Sequence, residues 1–362
     1  RYATSSVRAN AEQERELINM TNYAPFDTRP NFEATESDIS VALLTDHLNT
    51  TKSKLAKQIG KRGVMEVLGD MQLLVGPPEQ LCISNAALMM FCEHLDKFFP
   101  YTQVEITKFP EGSIKNPNNF IEVPVIKGSV PTMIKRTMEK LQDMVIEEKV
   151  TKVDYQMEAI RRYSYPYQAL EEAVVNAFYH RDYQSYQAII IEIEPDCVRI
   201  ISYPGIDRSI SQKTIAEGER FKSRYYRNKR LGEFLKELDL TEGKSTGIPT
   251  IQEELRDNGS PKATFETDDE RRAVTVEIPI HPDFLMEQGE PQNEPQNEPQ
   301  NATSVEDAIL QLIRMNKYVT REEMASQIEV SLSTVKRSIN KLKTSGIIEY
   351  EGPSKGGYWS IK

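Results

Sequence analysis

Three consecutive Glu-Pro-Gln-Asn units, running from Glu290 to Asn301, divide the chain, because no single fold can be built through them. Proline at every fourth position blocks a continuous helix, and the tract supplies no apolar side chain to bury. It predicts a semi-rigid spacer over residues 286–302, with a large body before it and a separate small domain at 303–362.

The 362 residues, 38% of them hydrophobic, suffice for two or three packed domains. No stretch approaches the roughly eighteen apolar residues of a membrane span, and the start lacks the basic-then-apolar order of a signal peptide. The expectation is a cytoplasmic protein with no membrane contact. Cys82, Cys92 and Cys197 are far apart, and His47, His94, His180 and His281 share no metal-binding spacing, so neither a disulfide framework nor a zinc site is expected. A formal net charge of -10 argues against a protein that coats nucleic acid indiscriminately; any DNA contact must be local. The chain opens at Arg1 with a strand-like run to Val7 that has no evident partner, as a piece of something longer would.

Coarse patterning gives an α+β multi-domain chain. Residues 15–150 read as a helical and mixed α/β region, with a helix over Val41 to Leu48, a basic solvated helix face over Lys52 to Arg62, and helical propensity from Ser84 to Phe91. A strand is expected over Thr102 to Lys108, and a core-facing helix over Pro131 to Glu148 carries Ile134, Met138, Leu141 and Val145. Residues 151–285 read as a second region, ordered helix, strand, strand, helix, helix, strand, strand. Its hairpin is Ala188 to Glu194 with Val198 to Ser202, and Ala263 to Thr267 pairs with Ala273 to Pro279.

Within the helix from Pro166 to His180, Glu172, Asn176 and His180 fall four apart on a face beside the buried stripe. A glutamate one turn before an asparagine can orient a water while the amide oxygen ligates magnesium, as nucleoside triphosphate hydrolysis requires; a solvated polar face explains the same spacing. Gly243, Lys244, Ser245, Thr246 and Gly247 precede an expected helix from Ile248 to Asn258, whose first amides can face an anion. This is not a Walker loop, because the lysine lies between the glycines and Gly243-Lys244-Ser245 does not close the full motif after a strand. Ser202-Tyr203-Pro204-Gly205 is a turn leaving the hairpin.

In this order the pieces resemble the Bergerat (GHKL) ATP-binding fold, and more closely its divergent branch in RecG-related proteins with an N-terminal Schlafen AlbA-type domain. The resemblance rests on Glu172 to Ala177 continuing into His180-Arg181-Asp182-Tyr183, on Tyr203-Pro204-Gly205, on Ser245 to Pro249, and on Ser84 to Pro100. It implies a Bergerat-like α/β sandwich over 151–285, with Glu172 as general base, Asn176 as magnesium ligand, and Gly205 with Gly243 to Gly247 around the nucleotide. It also implies that residues 1–14 are the tail of a truncated AlbA-type domain. One departure stands out: Bergerat ATPases end the second hairpin strand on an aspartate that accepts from the adenine amino group, whereas Ser202 and Tyr203 stand here. A serine cannot supply a carboxylate's charge-assisted bond.

After the spacer, Ala308, Ile309, Leu312 and Ile313 mark one helix, and Thr320 with Glu323 forms a capping box for a second. In a third helix Val335, Ile339 and Leu342 face inward, while Ser333, Thr334, Lys336, Arg337, Asn340, Lys341 and Lys343 are placed to meet DNA, with no acidic residue among them. Gly346 ends that helix, and two strands follow around a glycine-rich tip carrying Lys355. This resembles a winged helix-turn-helix. The leading function is a DNA-binding transcriptional regulator whose body senses a nucleotide, with double-stranded DNA, ATP with magnesium and a second copy of the chain as partners. The alternatives are an ATP-hydrolysing, DNA-associated enzyme of the RecG-related type, at most a weak ATPase, and a scaffold with a degenerate nucleotide site.

Overall fold

The computed structural model describes residues 14, 24–152, 159–207, 210–217, 226–241, 247–285, 305–328, 330, 332–344, 346–351 and 357–361. The chain falls into two compact units, 1–291 and 292–362. Nearly all of the expected N-terminal tail (residues 1–13) and the whole Glu290 to Asn301 tract lie outside the described residues, as do Gly243 to Thr246 and Lys355.

In the first unit, hairpin β1 (Leu74–Val75) with β2 (Cys82–Ile83) precedes a six-stranded sheet. That sheet takes β3 (Val104–Lys108) and β4 (Ile121–Glu122) from one part of the sequence, and β7 (Ile189–Ile193), β8 (Cys197–Ser202), β9 (Thr264–Thr267) and β10 (Val274–Pro279) from another. Its order is β4-β3-β7-β8-β10-β9. Hairpin β5 (Glu148–Thr151) with β6 (Ile160–Tyr163) stands apart from it. All neighbours are antiparallel except β3 and β7, which run parallel in the register Val104 to Ile189. A parallel pair needs a long crossover, and the helices Val130–Val145 and Tyr167–Tyr179 supply it.

Alternation explains which face is covered. Ile189, Ile191 and Ile193 of β7 and Val198 and Ile200 of β8 are buried, while Ile190, Glu192, Arg199 and Ile201 between them are only half-buried. On the open face Arg199 Nε donates to Glu277 at 2.8 Å and its Nη1 to Glu194 at 3.0 Å, which neutralises carboxylates that would otherwise repel across the strands. The covered face meets Tyr167–Tyr179, which packs in turn on Val130–Val145 and on Gly247–Asn258. Met133, Ile134, Met138, Leu141 and Val145 form the inner stripe of Val130–Val145, whose start is capped by Ser129.

Several expectations change here. The expected break near residue 150 does not separate two bodies, because β3 is hydrogen-bonded to β7 and one core runs from Ile39 to Phe284. The basic stretch from Lys52 to Arg62 holds a single 3-10 turn, Lys54–Lys57, in place of a helix face, and Arg62 instead grips Glu66 and Asp70. Between β8 and β9 the described residues carry three helices where two were expected: Gln212–Glu217, Lys229–Glu237 and Gly247–Asn258. The N-terminal residues are tied into this region by Asp27, a buried carboxylate whose Oδ2 accepts from the Leu231 backbone amide at 3.0 Å at the start of Lys229–Glu237. Burial pushes its pKa up, and the backbone donors around it pull the other way.

The second unit follows its expected order: helices Val305–Met315, Arg321–Ile328 and Leu332–Thr344, then β11 (Ile348–Glu351) antiparallel to β12 (Tyr358–Ile361). Ile309, Ile313, Met324, Val335, Ile339, Leu342, Ile348 and Trp359 make its core. Trp359 closes it, its backbone amide donating to Lys317 O at 2.8 Å and its ring Nε1 to Val319 O at 3.0 Å.

Candidate functional site

Between the covered face of the sheet and the helices Tyr167–Tyr179 and Gly247–Asn258 lies a cavity of about 180 Å3. Ile200, Val274, Val276 and Phe265 form the sheet side, and Ala173, Ala177, Ile248 and Ile251 the helix side. Among the described residues its polar groups are Asn176, Ser202, Asp207 and Arg227, with His180 and Tyr226 also in the wall. A small, mostly apolar cavity with a handful of directional groups is what ligand sites offer.

Asn176, Gly205 and Gly247 of the expected nucleotide set all line this cavity; Gly243, Lys244, Ser245 and Thr246 lie outside the described residues. Glu172 sits one turn before Asn176, and Asn176 Nδ2 donates to Glu172 Oε1 at 2.9 Å. That bond turns the amide's nitrogen toward the carboxylate and leaves Oδ1 as the oxygen a cation would take. Gly247 backs onto the pair: a Cβ there would stand 2.6 Å from both Asn176 Nδ2 and Glu172 Oε1, so only glycine lets the helix start so close. Gly205 is constrained as tightly, since a Cβ would meet Thr267 Oγ1 at 2.3 Å and Ala273 O at 2.7 Å.

The His180 to Tyr183 segment works mainly as a brace. Arg181 is buried, with Nη2 donating to Tyr101 O at 2.9 Å and the guanidinium 5.7 Å from the Tyr183 ring. Burial pulls the pKa of Arg181 down from its ordinary value. The Asp182 backbone amide donates to Tyr203 O at 3.0 Å and so ties the end of Tyr167–Tyr179 to the turn after β8. Asn228 Nδ2 donates to Tyr179 O and Arg181 O, which brings Tyr226 onto the helix end, its ring stacked on Tyr179 at 5.2 Å and 9°. Burial raises the Tyr179 phenol above its usual range, so this stack stays uncharged at neutral pH.

Sequence reading missed Asp207, Tyr226, Arg227 and Arg271. Arg271 donates to Ile206 O at 3.4 Å and Ile210 O at 2.7 Å, and its carbonyl accepts from the Gly205 amide at 3.0 Å, so it pins the loop that carries Asp207. The available signal was an acidic residue just past the Pro204-Gly205 turn, close to where a carboxylate was missing.

In the second unit Lys336, Arg337, Asn340, Lys341 and Lys343 are exposed on Leu332–Thr344, with Thr334 half-buried; Ser333 is helical, its side chain outside the described residues. The capping box forms, Thr320 N donating to Glu323 Oε2 at 2.8 Å and Glu323 N to Thr320 Oγ1 at 3.2 Å. Gly346, at φ 68°, ends the recognition helix in the left-handed region, its amide bonding Lys343 O.

The fold and sites define an α/β ATPase-like sandwich followed by a helix-turn-helix with a β wing. Residues 187–277 match the family described as "Putative ATP-dependent DNA helicase recG C-terminal", and 305–358 match the HTH domain family. The chain thus carries a RecG C-terminal-type ATPase-like domain and a helix-turn-helix domain; the first match begins after the helix that holds Glu172 and Asn176. Among solved structures it is similar to the DIP2311 protein from Corynebacterium diphtheriae, with a TM-score of 0.54 and 16% identity, a likeness of fold. The alignment covers 96% of this chain and 66% of that one, so the chain spans just under two thirds of its neighbour's length. No curated protein matches the chain. Among the described residues no helix is long and apolar enough to cross a membrane, and no group of three or more His, Cys, Asp or Glu is placed to hold a metal ion.

Proposed function

We propose that this chain is a DNA-binding transcriptional regulator whose body senses a nucleotide, acting in the cytoplasm as a homodimer on double-stranded DNA. The observation that carries the reading is the exposed row Lys336, Arg337, Lys341 and Lys343 on a helix with no acidic residue, in a domain matched by a helix-turn-helix family. Such a row neutralises phosphates where the recognition helix enters a major groove, against a chain whose overall charge is negative. Ser333, Thr334 and Asn340 supply hydrogen-bonding groups on the same helix, and Lys355 adds a cation in the wing sequence.

Support for a nucleotide comes from the cavity and from Asn176. Magnesium keeps several waters and takes most of its other oxygens from phosphates, so a single neutral amide oxygen is a sufficient protein ligand for it. The metal would shield phosphate charge at that position, while the Gly243 to Gly247 segment and Arg227 supply donors to the anion. Glu172 is already hydrogen-bonded to Asn176, which favours sensing over turnover.

The test is fluorescence anisotropy of the full chain on duplex DNA between 50 and 200 mM salt, with and without ATP and magnesium. Affinity is expected to fall with salt, and Lys336→Ala with Arg337→Ala to shrink the log-log salt slope by about 2, roughly 0.9 per lost phosphate contact. A double variant that binds as tightly as the parent at every salt concentration overturns the DNA reading. Affinity for DNA that is indifferent to nucleotide removes the sensing role.

A further inference from the structure

We propose that the exposed lysines of residues 52–61 form a second DNA contact, on the body itself, which binds the phosphate backbone of duplex DNA without reading its sequence. The inference rests on the DNA-binding reading above and adds a surface that lies outside the helix-turn-helix domain.

Lys52, Lys54, Lys57 and Lys61 fall within ten residues, and no acidic residue occurs between His47 and Met65. All four side chains are exposed. The acids that follow do not neutralise them, since Glu66 and Asp70 are both taken by Arg62, at 2.9 Å and 2.5 Å. Among the described residues none of the four lysines has an ion-pair partner, whereas on the same body Lys97 pairs with Asp38 at 2.6 Å and Lys127 with Asp96 at 2.9 Å. Like charges gathered on one turn repel one another, and a polyanion relieves that repulsion. In a chain with a formal net charge of -10 this row is a local positive patch. The partner follows from the chain itself: a helix-turn-helix family matches 305–358, so duplex DNA is the polyanion this chain meets.

The backbone under the row is fixed. Ser53 Oγ accepts from Leu55 N at 3.3 Å to start the 3-10 turn Lys54–Lys57, Gln58 N closes it on Leu55 O at 2.9 Å, and Lys61 N turns back to Gln58 O at 2.8 Å. Leu55, Ala56 and Ile59 pack on the core, which leaves the lysines on the outward side. Side chains three apart in a 3-10 turn eclipse one another, so Lys54 and Lys57 stand along one edge about 6 Å apart, from a rise of about 2.0 Å per residue. Lys52 holds a left-handed φ of 52°, which places a cation at a position where glycine or asparagine fits the backbone more easily. Ammonium groups on flexible stems meet phosphates as point charges, whereas base edges are read mostly by the fixed forks of arginine and amide side chains. The row therefore adds affinity and leaves sequence choice to the recognition helix.

The experiment is fluorescence anisotropy of the full chain on a duplex several helical turns long, between 50 and 200 mM salt. The parent is compared with Lys54→Gln plus Lys57→Gln, with Lys336→Ala plus Arg337→Ala, and with a control, Lys135→Gln plus Lys140→Gln, which removes the same charge from the exposed side of Val130–Val145. The Lys54 and Lys57 variant is expected to reduce the log-log salt slope by about 2, so that its affinity falls about tenfold less than the parent's across that range. The control is expected to keep the parent's slope, and thermal melts report that each variant is folded. A parent-like slope in the Lys54 and Lys57 variant overturns the proposal, while a reduced slope in the Lys336 and Arg337 variant leaves the DNA reading intact. An equal loss in the control overturns it too, because net charge and not a site then sets the slope. Sedimentation with phosphatidylserine vesicles runs alongside: lysines that hold vesicles but leave the DNA slope unchanged belong to a lipid surface, and the proposal falls. No DNA binding by the parent removes the DNA reading itself, and this inference with it.

Discussion

The two units are held together by different kinds of contact. In the second, the core side chains among the described residues come from 309–359, and the three helices pack on one another within that short span. In the first, the sheet joins β3 to β7 across the Val130–Val145 and Tyr167–Tyr179 helices, and Asp27 caps a helix that starts at Lys229. Local contacts are written in local patterns, whereas long-range pairings have no short-range signature. The small unit's surface can therefore be read from its sequence, while the large unit's site must be seen assembled.

A cavity cut into one core should separate the units as folding bodies. Phe178→Ala empties a buried position in the first core and should cost it about 3–5 kcal/mol. Scanning calorimetry should show its transition fall while that of the second unit stays put. A single transition that moves as a whole would show the two units melting as one body.

Two glycines sharpen it further, because they are needed for different reasons. Gly247→Ala drives a Cβ into Asn176 and Glu172, and overpacking of this kind costs about 1–3 kcal/mol. Gly346→Ala meets nothing within 4 Å but forces a side chain into φ 68°, which costs about 1–2 kcal/mol. Denaturant midpoints measure both. Only the first substitution should also weaken nucleotide binding; if the second does so, the units are not independent.

The smallest effect tests the second unit's local logic. Thr320→Ala removes one side of the capping box and should cost about 1 kcal/mol. Bonds to the Thr320 backbone and hydroxyl hold Glu323 below its ordinary pKa. A depressed carboxylate stabilises fully above its unfolded value, about 4.3, and loses that contribution as pH falls through the lower folded value. Unfolding curves between pH 6 and 2 should show this loss in the parent and a shallower one in Thr320→Ala. Parallel curves would assign the acid sensitivity elsewhere.

Much of the fold was legible. The β7–β8 hairpin, the β9–β10 pair, the Val130–Val145 helix and the whole winged helix order follow from alternation, 3.6-residue spacing and turn residues. The recognition helix's cations were legible for the same reason, since amphipathic spacing assigns each to the outside. The cavity was half legible: Glu172 and Asn176 share a helix, so their spacing places them one turn apart. Asp207, Arg227 and Arg271 share no element with them.

Sequence alone therefore determined the division into two units, the type of most elements, and which face of each helix is polar, because these depend on neighbours a few residues away. Long-range packing settles that β3 belongs to the same sheet as β7, that Gly247 closes on the Glu172–Asn176 pair, and that the loop after β8 returns Asp207 to the cavity wall. Each of those depends on chain segments meeting in space, where hydrogen bonding and packing select one partner among many that the local pattern allows.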